Sequence, residues 1–170
     1  SGKSGEKIAE KYGMRFPAMC DGPHGVTKIG ICYPNMCLVS CSWDKELIYE
    51  MGKSIGNDCA ENGVDVLLGP SVNIKRNPLC GRNFEYISED PLLAGEMGAA
   101  YINGLQSTGT AACVKHFCCY NQETDRFTQN VFVDEDVLMD VYVRVFKLIM
   151  RKSSTKCLMT SYNSLNGQLV

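Results

Sequence analysis

Short apolar runs alternate with stretches of helical periodicity along nearly the whole chain, and this alternation restricts the fold more than any other feature. Residues 15–20, 64–68, 111–117 and 157–162 have strand character. The segment after Trp43 opens on Asp44, a side chain suited to accept from the free N–H groups of a helix start, with Glu46 in the first turn. Leu47, Ile48, Met51, Ile55 and Cys59 then recur at helical spacing, and Gly63 ends the pattern. Asp90–Pro91 begins a second helix, a cap followed by proline at the first position, which runs to about Gln106. A third helix is expected over 133–152, with Asp134, Glu135 and Asp136 at its start and Lys147, Arg151 and Lys152 at its end. Another ends near Tyr12 and is stopped by Gly13. Residues 27–35, with Gly30 and Pro34, read as a loop, and 36–42 as a further short apolar run. The order strand, helix, strand, helix, strand, helix, strand predicts an α/β fold, with mostly parallel strands and crossover helices.

The polar residues that stand out fall where strands end. Asp21 opens the tight turn DGPHGV, in which His24 reads as loop structure. Lys115 and His116 close an apolar run, and Asn121, Gln122, Glu123, Asp125 and Arg126 follow in a polar loop. Met159 and Tyr162 end the last run. Arg82 lies in a loop from Gly69 to Asp90 that is too long and too polar to be a plain connection. Ligands bind at the C-terminal edge of parallel sheets, open or closed. Such a rim offers one carboxylate, two arginines, a lysine, a histidine and a tyrosine. That mixture suits a neutral ligand with many hydroxyls, whereas phosphate would call for more cations and no Asp21.

Composition removes several alternatives. The net charge of −2 and the lack of a long basic run argue against a nucleic-acid partner. No apolar run approaches the ~20 residues that span a bilayer. Neither a GxGxxG nor a GxxxxGK motif occurs, so no nucleotide cofactor is expected. Ten cysteines occur without a CxxC pair, and only two histidines exist to complete a metal site begun by Cys37 and Cys41. Free thiols in a reducing compartment are the expectation. The polar start, SGKSGEKIAEKYG, lacks an apolar signal region, which makes that compartment the cytoplasm.

Five stretches in order, DGPHGV, GPSVNIKRNPLCGRNFEYISEDP, KHFCCYNQETDR, VDEDVLMDVYVRVF and MTSYNSLNG, together resemble the N-terminal barrel domain of glycoside hydrolase family 3. The resemblance is to the branch of β-glucosidases and β-xylosidases with KHF followed by NQExxR, and covers the chain from about Arg15 onward. It implies a (β/α)8 TIM-type barrel, here partial, and no cofactor. It implies hydrolysis of terminal non-reducing β-linked glucosyl or xylosyl residues by a retaining double displacement. The substrates would be β-glucoside or β-xyloside oligosaccharides, or aryl and alkyl glycosides. Asp21 would accept from the glycone hydroxyls farthest from the scissile bond, and Arg82, Lys115, His116 and Arg126 would hold the others. Met159 and Tyr162 would line the subsite floor. The family often has a cis Lys–His peptide, aiming both side chains at the sugar. Glu85, Asn73 and Asp90 are expected to order the long loop and cap a helix.

The chain departs from the family in what it lacks. The nucleophilic Asp, in a motif like SDW, and the acid/base Glu are both expected beyond Val170, so no catalytic residue is assigned within the chain. Residues 1–170 are expected to form an incomplete barrel domain that needs the C-terminal part of the same polypeptide, with its closing strands and second α/β domain. An unclosed barrel exposes a strand edge, so this piece alone is expected to be poorly soluble and without glycosidase activity. Two other classes remain: a non-catalytic sugar-binding barrel, and a barrel enzyme that uses Lys115 as a Schiff base.

Overall fold

The computed structural model of the chain describes residues 2–27 and 31–170. Gly30, read above as part of a loop, lies outside the described residues. The elements begin with α1 (Gly2–Lys11), β1 (Met19–Asp21), α2 (Met36–Ser40), α3 (Lys45–Glu61), β2 (Val66–Leu68), α4 (Pro91–Gln106) and β3 (Ala111–Phe117). They continue with β4 (Asn130–Val131), α5 (Glu135–Val137), a π-helical turn (Leu138–Tyr142), α6 (Val143–Lys152), β5 (Cys157–Thr160), β6 (Ser164–Leu165) and β7 (Gln168–Leu169).

The main sheet has the order β1-β2-β3-β5, parallel throughout. Met19 pairs with Val66, Val66 with Ala111, and Cys113 with Cys157. The crossover helix α3 packs on α4, and α4 on α6, in the same sequence as the strands. A doubly wound sheet would reverse its strand order partway, whereas a barrel wall advances in one direction. The fold is therefore α/β, a partial arc of a TIM-type barrel with one layer of helices outside it.

Local chemistry sets the helices. The Asp44 carboxylate accepts from the N–H groups of Glu46 and Leu47, and that of Asp90 accepts from Leu93 at 2.7 Å. Helices α3 and α4 approach closely because Gly104 faces the Tyr49 backbone, where any Cβ would collide with the carbonyl. Ile48, Ile55, Met97, Ile102, Leu105 and Ile149 are buried between helices and sheet. Each contributes about 1.5–3 kcal/mol by leaving water.

Several boundaries differ from expectation, each for a visible reason. The first strand covers 19–21 rather than 15–20: Arg15 pairs with Asp65 and the Ala18 N–H donates to the same carboxylate, which holds that segment outside the ladder. The apolar run at 36–42 is mostly helix α2, with Asn35 accepting from the Leu38 N–H at 2.9 Å as its cap. The helix expected from 133 starts at Glu135 and is interrupted by the π turn, and Asp134 sits at the cap position without a capping hydrogen bond. The last parallel strand stops at Thr160, because the Ser161 N–H and hydroxyl donate to the carbonyls of Phe117 and Cys118. The turn that follows holds a hairpin between β6 and β7, with Asn166 and Gly167 both at positive φ, as a two-residue Asn-Gly turn requires. Among the described residues no helix is long and apolar enough to cross a membrane.

Candidate functional site

At the C-terminal ends of the four parallel strands lies a cavity of about 550 Å³. Asp21 reaches it from β1, Lys115 and His116 from β3, and Met159 and Tyr162 from β5 and the turn beyond. Arg82 comes from the loop after β2, and Arg126 from the loop after β3. All seven residues singled out in the sequence thus share one mouth. A groove of about 590 Å³ between α3, α4 and Lys152 lies on the outer layer, where Glu96 already pairs with Lys45 and Lys152.

The end of β3 is the most buried part of the site. Lys115–His116 and Phe117–Cys118 are cis peptides, the first as expected above. Asn73, 43 residues upstream of His116, holds this corner through three contacts. Its Nδ2 donates to the His116 carbonyl at 2.8 Å, its Oδ1 accepts from the His116 N–H at 2.9 Å, and the same oxygen lies 3.2 Å from the ring Nδ1. Burial first, and then the charges of Arg82, Lys115 and Arg126, push the His116 pKa down to about 2. The imidazole is therefore neutral at physiological pH. The Lys115 side chain is only 4% exposed and its Nζ meets Asp21 Oδ1 at 3.3 Å, while the Asp21 side chain is 68% exposed. Asp21 thus joins a buried cation to the open mouth.

Arg82 stands in a second cluster. Its Nε donates to Glu85, whose other oxygen accepts from the Ser71 hydroxyl at 2.5 Å. Burial works against the Arg82 charge, but the hydrogen bond and charge of Glu85, helped by Glu123, outweigh it and raise the pKa above the ordinary arginine value. The guanidinium lies over the Tyr120 ring at 5.4 Å, and His116 packs on the same ring at 5.2 Å. The buried Tyr120 hydroxyl makes no hydrogen bond of good geometry. Burial, followed by the nearby Glu123 carboxylate, pushes its pKa up to about 12. Arg126 donates to Glu123 at 3.2 Å and lies against the rings of Phe127 and Tyr162, at 4.8 and 5.1 Å.

Around the cavity three cations, Lys115, Arg82 and Arg126, face three carboxylates, Asp21, Glu85 and Glu123. With His116 neutral, these groups balance. The lining can donate and accept many hydrogen bonds without favouring a charged ligand. Sequence reasoning placed Asn73 and Glu85 as ordering residues but did not connect them to His116 and Arg82. It also left Tyr120 unremarked and gave Glu123 no role. The polarity of the long loop signalled that it mattered, but not to which partners. His24 does serve its loop, its carbonyl accepting from the Tyr33 N–H; its ring also lines the cavity and meets Phe84 edge-on at 5.7 Å.

Comparison with known proteins matches residues 7–169 to the glycosyl hydrolase family 3 N-terminal domain. A thermostable β-glucosidase B from Acetivibrio thermocellus is 42% identical over 95% of the chain, and an exo-α-(1→6)-L-arabinopyranosidase from Bifidobacterium longum is 39% identical over 93%. The chain covers 23% of the length of each. The structure of β-glucosidase 3B from Thermotoga neapolitana in complex with α-D-glucose superposes with a TM-score of 0.89 at 42% identity, over 94% of this chain and 24% of that one.

Proposed function

This chain belongs to glycosyl hydrolase family 3, and on that premise we propose that it forms the glycone-binding wall of a retaining glycosidase acting on terminal non-reducing β-linked glucosyl or xylosyl residues. The observation that carries this reading is the convergence of Asp21, Arg82, Lys115, His116, Arg126, Met159 and Tyr162 on one cavity with balanced charge. A pyranose presents neighbouring hydroxyls that both donate and accept. The exposed Asp21 carboxylate accepts from the outermost ones. Lys115 and the two guanidiniums donate to the others, while the neutral imidazole adds a ring nitrogen. Met159 and Tyr162 supply the apolar surface on which C–H groups of the sugar rest.

Every carboxylate that lines the cavity is already engaged by a cation: Asp21 by Lys115, Glu85 by Arg82, Glu123 by Arg126. We assign none of them as nucleophile or acid/base; those two carboxyl groups belong to another part of the polypeptide in this reading, and residues 1–170 form an incomplete barrel domain that works with it.

Titration with D-glucose and D-xylose, followed by NMR at His116 and Tyr162, tests the reading. Saturable shifts that disappear in Arg82→Ala are expected. Signals that stay unmoved at saturating sugar would refute it.

A further inference from the structure

We propose that Glu123 is a positioning residue that clamps Arg82 and Arg126 into a single donor wall and keeps the cavity selective for uncharged ligands; this rests on the glycone-binding reading above. One Glu123 oxygen accepts from Arg126 Nη1 at 3.2 Å. The other lies 3.8 Å from Arg82 Nη1, within ion-pair reach though too far for a hydrogen bond, and is buried with no hydrogen-bond partner. The two guanidiniums face the same cavity and repel each other. Each is a long side chain that gains conformational freedom when it turns to solvent.

Arg82 has a second anchor, because Glu85 holds its Nε side. Arg126 has none: among the described residues Glu123 is the only carboxylate in ion-pair range of it. Arg126 also lies near the Tyr120 hydroxyl and against the rings of Phe127 and Tyr162, neutral groups that orient the guanidinium without offsetting its repulsion from Arg82. Among the described residues Glu123 is therefore the one carboxylate that couples the two donors. Their separation decides which pair of neighbouring hydroxyls can be bridged. The same carboxylate completes the balance of three cations against three anions, so neutralising it leaves the lining with one excess positive charge.

Two measurements on Glu123→Gln in the full-length protein test this. The first follows the guanidinium ¹⁵N signals of Arg82 and Arg126 without ligand. Slow rotation of Arg126 is expected in the unchanged protein and fast rotation in the variant. The second titrates D-glucose and D-glucuronate. Glucose binding should weaken about tenfold, since hydrogen bonds through charged groups are at stake, while the affinity ratio should shift toward glucuronate. A merely structural role for Glu123 would leave that ratio where it was. If the variant does not fold, Glu123→Asp keeps the charge and withdraws the clamp by one methylene. It should free Arg126 and weaken glucose binding without moving the ratio. Unchanged Arg126 rotation, or glucose affinity within about twofold of the starting protein, overturns the clamp. Should the unchanged protein bind no glucose, the glycone-binding reading fails and the rotation measurement alone decides the clamp.

Discussion

The centre and the flanks of the cavity are built differently. At the end of β3 every residue from Ala112 to His116 is buried, and Asn73 holds His116 through its backbone N–H, its carbonyl and its ring. At the ends of β1 and β5 the chain is open. Asp21 and Tyr162 are both exposed, and each of those strands has only one neighbour among the described residues. A ligand that must enter and leave needs groups that can reach it from the rim. It also needs a fixed surface to be measured against, which only a packed interior strand with satisfied polar groups provides.

This contrast can be broken, and the largest effect should come from its centre. Asn73→Ala leaves the His116 N–H and carbonyl buried without partners. It should lower the stability of the chain by about 3 kcal/mol in chemical denaturation, and a loss under about 1 kcal/mol would show that the corner does not depend on Asn73.

The next effect concerns pH. His116 titrates near 6.5 when unfolded and near 2 when folded. Its folded pKa is depressed, so the unfolded chain binds more protons in between. Stability is complete above about 6.5 and declines as pH falls toward 2, by up to about 1.4 kcal/mol per pH unit. Unfolding midpoints measured from neutral to acidic pH should fall more steeply for the unchanged chain than for His116→Gln. Equal slopes would place the imidazole in contact with water.

The flanks should respond less in stability than in binding. Asp21→Asn removes a charge from an exposed side chain but leaves the buried Lys115 without its carboxylate. It should cost about 1 kcal/mol of stability, with a fall in glucose affinity larger than that figure implies. A stability loss as large as that of Asn73→Ala would erase the distinction between centre and flank. Smallest of all, Phe127→Ala removes an exposed ring that meets Tyr162 at 4.7 Å. Stability should change by under about 0.5 kcal/mol, and a clear loss of glucose affinity would show that the ring orders Arg126 and Tyr162 at the rim.

Much of this architecture could be read in the sequence where its cause is local. Asp44 and Asp90 cap helices because a carboxylate one residue before a helix reaches the next N–H groups whatever lies further along the chain. Residues 111–117 matched strand β3 to the residue, because a strand buried in a parallel sheet needs an apolar run such as Ala111–Val114, and Lys115 and His116 close that run at the rim. The run at 36–42 had no such clarity, since a few apolar residues fit a strand or a buried helix turn equally well, and the Asn35 cap decided it.

The site divides along the same line. That Asp21, Arg82, Lys115, His116, Arg126, Met159 and Tyr162 would gather followed from the strand-and-helix order, because parallel strands deliver all their C-terminal ends to one edge. Which polar groups hold one another there could not be read from the chain. The bonds from Asn73 to His116 join the loop after β2 to strand β3, and the bridge from Arg82 through Glu123 to Arg126 joins that loop to the one after β3. A hydrogen bond depends on tenths of an ångström between atoms far apart in sequence, and only the packed sheet sets those distances.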